Sequence, residues 1–383
     1  MKKTLAIILA ILMLLPCFMT ASFASIGRAD YEEEEIPTAV DGYVCTKEVY
    51  KSSSGESHTY VKTYDKAGNL IKETTVSRYD DDTEKTTTTY TYGKNGKVAR
   101  EVYMYQFPEG GFSSVITTYT YDSRGNEIRK VEDVSGGEAV RETVSTYNSK
   151  NQLIKEVYTY TEASGEGSTD TTTYAYDKNG NQTKQDYISR GTDGRYSRTT
   201  ITTSYNKNGD MKKSVYKHSD STGYSAKSTT ACSYYADGNL KKRVESGSTN
   251  DGYKEKITET FFYDSFGRLK KENYVEQNSY SYYKSTTAYA YDSFDNVKKR
   301  VTVSVLDDGE SEKTTTAYAY DNNGNLIKEV TTVYGEESGF RMKVTETRKY
   351  DKAGNLLQYV SAYRGGEAGA GKDVWSYSYK KVA

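Results

Sequence analysis

Few residues of this 383-residue chain could do chemistry, and they do not converge. Histidine occurs only at His58 and His218, in unrelated stretches and without recurring partners that would make a nucleophile or metal site. Serine is plentiful, but no G-x-S-x-G elbow follows a strand. The segments Asp177 to Asn181 and Asp321 to Asn325 (D-x-N-G-N) are superficially like calcium loops. Each offers one aspartate, where a calcium loop needs several carboxylates and a closing bidentate acid, so turn chemistry is the simpler reading. The expectation is no catalytic residue, no cofactor and no metal. Cys45 and Cys232 lie far apart in sequence and are expected to be unpaired thiols.

What the chain does repeat is a turn. The phrase Tyr-Asp-x-x-Gly-Asn-Leu recurs eleven times at steps near 29 residues. It begins at Tyr64, Tyr92, Tyr121, Tyr147, Tyr176 and Tyr205, then at Tyr234, Tyr263, Tyr291, Tyr320 and Tyr350. The turn glycines are Gly68, Gly96, Gly125, Gly180, Gly209, Gly238, Gly267, Gly324 and Gly354; Asn151 and Asp295 stand in two repeats. Asn and Asp are the residues that best tolerate positive φ, so the exceptions fit a left-handed position. A fixed period in this range means one supersecondary unit stacked many times.

Each unit reads as a hairpin. Stretches such as TTTYAY before Asp177 alternate small and aromatic residues and end at D-x-x-G, the signal for a three-residue loop with a bulge. That register sets Tyr64 opposite Leu70, Tyr234 opposite Leu240 and Tyr320 opposite Leu326. One pair further out it sets Tyr90 opposite Arg100, Tyr119 opposite Arg129, Tyr289 opposite Lys299 and Tyr318 opposite Lys328, a tyrosine ladder roofed by cations. The other face would carry small residues, isoleucines and glutamates such as Glu73. Forty tyrosines and only three prolines favour strands throughout. The fold class expected is all-β: about eleven antiparallel hairpins in a long twisted or spiralling sheet, with Trp375 to Tyr379 as a C-terminal capping strand.

Residues 1–24 read as an export signal: Lys2 and Lys3, the apolar run Leu5 to Leu15, and Ser22-Phe23-Ala24 as a cleavage site. Residues 25–43, with Glu32 to Glu35, read as an acidic linker, and 44–383 as the repeat domain. Asp80 to Asp82 reads as a solvated outer loop. Cleavage would leave 50 cations against 53 anions, with both signs spread along the repeats. No basic stripe is legible, which argues against nucleic acid as a partner, and no second apolar run is long enough for a transmembrane segment.

The repeated phrase resembles the YD-repeat, or Rhs-like, family of secreted and surface proteins, over Tyr64 to about Leu357. The resemblance implies hairpins in a spiralling sheet, which in large members closes around a C-terminal toxin. The period here is longer than the roughly twenty residues usual in that family, and only about 26 residues follow Leu357. A secreted, non-enzymatic scaffold or binding module is therefore expected, extracellular or cell-surface associated, contacting cell-wall or host glycan or a surface protein. A shell or delivery component that presents a separately encoded polypeptide is the alternative. Tyr103, Tyr158, Tyr187, Tyr216 and Tyr274, seven residues beyond the turn position, are the candidate ligand contacts, since tyrosine joins an apolar face to a polar tip. The free edges of an open strip would permit end-to-end association.

Overall fold

The computed structural model describes residues 43–79, 82–134, 136–307, 309–335, 339–365 and 369–381. The expected export signal, nearly all of the expected acidic linker, and Asp80 and Asp81 lie outside the described residues.

The repeated phrase is a hairpin turn in which every residue has a job. In the first, between β2 (Ser57–Tyr64) and β3 (Leu70–Tyr79), the Asp65 amide donates to the Asn69 carbonyl at 2.9 Å and the Gly68 amide to the Asp65 carbonyl at 3.2 Å. Asp65 Oδ1 accepts from the amides of Ala67 and Asn69, and its Oδ2 from the Asn69 side-chain amide at 2.9 Å. Gly68 sits at φ 86°, and Asn151 and Asp295 take the same left-handed position at φ 66° and 67°.

Register holds at the first pair, Tyr64 opposite Leu70, and then slips. Thr63 faces Lys72, so Ile71 is an extra, bulged residue, and the same irregularity recurs in every motif hairpin. The expected cation roof is thereby corrected. Tyr90 faces Glu101, Tyr119 faces Lys130, Tyr289 faces Arg300 and Tyr318 faces Glu329. Arg100, Arg129, Lys299 and Lys328 move to the opposite face, and Glu73 joins the tyrosine side. One residue of slip reverses every assignment beyond it.

The bulge also creates the contact that joins hairpins. Pairing of β3 with β4 (Asp82–Tyr92) starts only at Lys72 opposite Thr89, which leaves the Leu70 carbonyl beyond that ladder. Tyr92 fills the gap: its hydroxyl donates to the Leu70 carbonyl at 2.8 Å. Every motif tyrosine does the same to the strand before it, from Tyr64 on Cys45 to Tyr350 on Leu326.

Stacked in this way the hairpins form a closed antiparallel barrel of 24 strands. This corrects the open spiral. The eleven motif hairpins supply 22 strands, and two more lie outside the repeats: β1 (Tyr43–Lys51), which the sequence reading missed, and β24 (Ala370–Lys381), the expected capping strand. β24 pairs on one side with β23 (Leu356–Gly365) and on the other with β1, placing Ser376 between Gln358 and Val49. Around the wall the register slips by about one residue per strand: Lys72 lies opposite Thr89 and Arg100 opposite Thr91. The seam keeps that slip, since Val49 lies opposite Thr59, four residues before Thr63. One residue per strand corresponds to a strand tilt of about 36°.

Among the described residues each strand contacts only its two neighbours. Buried side chains are few, and most of the apolar ones sit at the seam, where Cys45, Leu356, Tyr359 and Tyr377 form a cluster. Trp375 lies there between Tyr50 and Tyr359, tilted to both, with ring centroids at 4.9 and 4.8 Å. The wall is a single layer, and none of the described strands crosses its centre. Twenty-four strands at this tilt make a cylinder about 40 Å across the backbone.

Changing Tyr205 to Phe keeps the ring and removes only the 2.7 Å bond to the Gln182 carbonyl. We expect a loss of about 1 kcal/mol, read as faster hydrogen exchange in the strands on either side of that contact. Unchanged protection there would show that the hydroxyl contributes nothing.

Candidate functional site: the two faces of the barrel wall

Neighbouring residues of the same kind reveal which face is which. Thr172 is 8% exposed and Thr117 6%, whereas Thr173 and Thr118, one residue on, are exposed. Side chains converge on the inside of a curved wall and diverge on the outside. The face that holds Thr172, Thr117, Thr316 and the motif tyrosines is therefore the inner one.

The outer face carries a cation four residues after ten of the eleven turn positions. These are Lys72, Arg100, Arg129, Lys155 and Lys184, then Lys213, Lys242, Lys271, Lys299 and Lys328, and all ten are exposed. Gln358 ends the series. Because the register slip matches the strand tilt, equivalent positions lie level around the barrel. A second, less complete row stands seven residues before the motif tyrosines, at Lys85, Arg198, Lys227, Lys256, Lys284, Lys313 and Lys343. The two rows are six residues apart along a strand, about 20 Å. Between them lie mainly threonine, alanine and valine, as in the pairs Thr89–Val102, Ala231–Val244 and Ala317–Val330. Asp133, Glu142, Asp186 and Lys217 interrupt that band. Two of the acids are paired: Glu142 with Arg129 at 2.5 Å, and Asp186 with Arg198 at 2.6 Å. The expectation that no basic stripe exists is corrected here.

The inner face is acidic and rich in tyrosine. Lys72-Glu73, Arg100-Glu101, Lys155-Glu156, Lys271-Glu272 and Lys328-Glu329 each send the cation outward and the glutamate inward. Inner cations among the described strand residues are few, namely Lys62, Lys130, Arg141, Arg243, Arg300 and Arg348. Several are engaged: Lys130 with Glu132 at 2.6 Å, Arg243 with Glu259, and Arg348 with Glu346 at 3.1 Å. The Tyr119 hydroxyl donates to Glu101 at 3.1 Å.

All five candidate contact tyrosines lie on this inner face. Tyr103 faces Thr88, Tyr158 faces Thr143, Tyr187 faces Thr172, Tyr216 faces Ile201 and Tyr274 faces Glu259. The two histidines remain separate. His58 bonds Ser77 at 2.8 Å and stacks on Tyr50, whereas His218 bonds Thr199 at 2.9 Å. Cys45 and Cys232 are both free, as expected. No cluster of three or more metal-ligating side chains occurs among the described residues.

Closure overturns the function read from the sequence. A closed wall has no free sheet edge to support end-to-end association, and the candidate tyrosines are not displayed outward for glycan or a surface protein. The secreted scaffold and the shell alternative rested on an open or enclosing repeat strip, and the extracellular assignment rested on the export signal with no transmembrane segment to hold the chain; a closed barrel overturns all three. Among the described residues no helix is long and apolar enough to cross a membrane. A closed barrel is nevertheless an architecture able to cross a membrane with its strands, so the expectation of no transmembrane segment does not stand.

The turn carboxylates of Asp65, Asp122, Asp177, Asp321 and Asp351 are held below the ordinary aspartate range, first by the hydrogen bond from the following asparagine side chain. A depressed folded value means the bonds stabilise the turn above the ordinary carboxylate range. That contribution is lost as pH falls through the depressed value. Asn148 makes the same backbone bonds without a titrating group and takes its side-chain partner from Gln152 at 2.9 Å. Acidification below about pH 4 should therefore lower amide protection at the Asp177 turn, taken relative to the intrinsic exchange rate at each pH, and spare the Asn148 turn. Equal sensitivity at the two turns would refute the assignment.

No family model matches the chain, and no significant relative is found among curated proteins. Among solved structures, the P pilus usher (PapC) translocation pore is similar at a TM-score of 0.42 and 10% identity, covering 89% of this chain and 99% of that one. A porin-like protein from Bacteroides uniformis gives a TM-score of 0.21 and 11% identity, covering 88% and 96%. At these values the likeness carries no functional inference.

Proposed function

We propose that the chain forms a water-filled β-barrel pore that spans a membrane and favours cations. The observation that carries this reading is closure: 24 antiparallel strands, most of 9 to 11 residues, pair without a free edge. In hydrocarbon every backbone donor and acceptor must be satisfied internally, which leaves helices and closed barrels as spanning structures. A tilted transmembrane strand needs about 9–11 residues, and an even strand number with a polar interior is usual for such barrels.

The outer band of threonine, alanine and valine is the lipid-facing surface in this reading. At about 20 Å along the strand it is short, and the lysine and arginine stems at its borders extend it as the charged heads reach toward water. A lysine or arginine within such a band costs about 2–4 kcal/mol at the midplane, and an acid less, so the acids Glu142 and Asp186 are offset by pairing with Arg129 and Arg198. Inside, the excess of glutamates over cations raises the local cation concentration, and Tyr103, Tyr158, Tyr187, Tyr216 and Tyr274 flank the passage.

The test is reconstitution of the folded chain into planar bilayers. Stepwise conductance with a reversal potential favouring cations is expected, and Glu101→Gln with Glu156→Gln should move that potential toward zero. Folded protein that inserts no conductance would defeat the pore; conductance without cation preference would defeat only its selectivity.

A further inference from the structure

We infer that the outer cation row next to the short turns is a binding belt for anionic phosphate headgroups of the adjoining lipid leaflet. This rests on the membrane-spanning reading and adds to it a site and a ligand class. Three observations carry it. The row is nearly complete, and its members are exposed, including the consecutive Lys184, Lys213, Lys242 and Lys271. Equivalent positions stand two strands across and two residues along from one another, about 12 Å, close to the Debye length at moderate salt, so the ammonium groups still repel one another until anions lie between them. The wall supplies such an anion to Arg129, from Glu142 at 2.5 Å, and to Lys184, from Asp186 at 3.7 Å; elsewhere the hairpins that follow lysine with glutamate send the glutamate to the other face.

Geometry selects a leaflet rather than a soluble polyanion. The belt is level and runs around most of the wall, from Lys72 to Lys328, and it borders the mainly uncharged threonine and valine band on one side. A sheet of headgroups meets all of its members at once, whereas a flexible polyanion would have to wrap the circumference. Aliphatic lysine stems can lie along the band while the ammonium groups reach the phosphates. Cations near an anionic surface each contribute a modest attraction, so the row acts by number.

The experiment uses the full folded chain and two vesicle preparations, one zwitterionic and one doped with anionic phospholipid. Binding is read by co-sedimentation and pore formation separately by dye release. We expect at least about tenfold tighter binding to the anionic vesicles. The quadruple variant Lys184→Gln, Lys213→Gln, Lys242→Gln and Lys271→Gln should lose most of that preference at unchanged β-sheet content. Single variants at Lys213 and Lys242 should show a graded loss should the quadruple fail to fold. Equal binding of the native chain to both vesicles, or no binding to either, would overturn the belt. So would a preference that survives the substitutions, or soluble polyphosphate that binds the native chain and abolishes vesicle binding at equimolar phosphate. Anionic preference without dye release would separate the two claims, leaving the belt standing and the pore not.

Discussion

The structure depends on one hydrogen bond made over and over: a tyrosine hydroxyl reaching the backbone carbonyl of the hairpin before it. A β-wall one layer thick has no second layer to bury against, so its cohesion must come from neighbour to neighbour contacts. Ladder bonds run along most of each strand but stop short at the bulge, and an unpaired carbonyl there would weaken the joint. Phenylalanine fills the same volume and leaves that carbonyl open, a physical reason for tyrosine at the head of every motif. The Asp–Asn clamp then fixes the turn on which the tyrosine is mounted.

Closure follows from what lies outside the repeats. An array of identical hairpins would end in two exposed edges. β1 and β24 depart from the motif and meet, and the most deeply buried apolar cluster forms where they do. Trp375 between Tyr50 and Tyr359 makes this seam better packed than the repeated wall. A short, specific contact thus completes a structure otherwise built from weak repeated ones. The same repetition that spreads stability evenly also lines up equivalent side chains, producing level rows of charge from a nearly neutral composition.

Much of the local structure was legible in the sequence. Turn type, the left-handed glycines with Asn151 and Asp295 as substitutes, the first cross-strand pair and the final strand all follow from residue chemistry that acts over a few positions. Two things were not. The bulge at Ile71 and its equivalents has no marker of its own, and missing it reversed the faces of Lys72 and Glu73. Charge that looked evenly mixed along the chain is segregated across the wall, since adjacent lysine and glutamate point oppositely. β1 was also hidden, because Tyr43 to Lys51 lacks the motif, and with it the pairing that turns a strip into a barrel. Closure is a contact between the two ends of the chain, which no periodicity within the repeats encodes.

The most direct measurement is cross-linking across the seam. Val49 and Ser376 lie directly opposite on β1 and β24. In a chain carrying Val49→Cys and Ser376→Cys, with Cys17, Cys45 and Cys232 replaced by serine, mild oxidation should join the first and last strands within one molecule, giving a faster-migrating monomer under denaturing electrophoresis. Cross-links only between molecules, or none with the fold intact, would contradict a closed barrel.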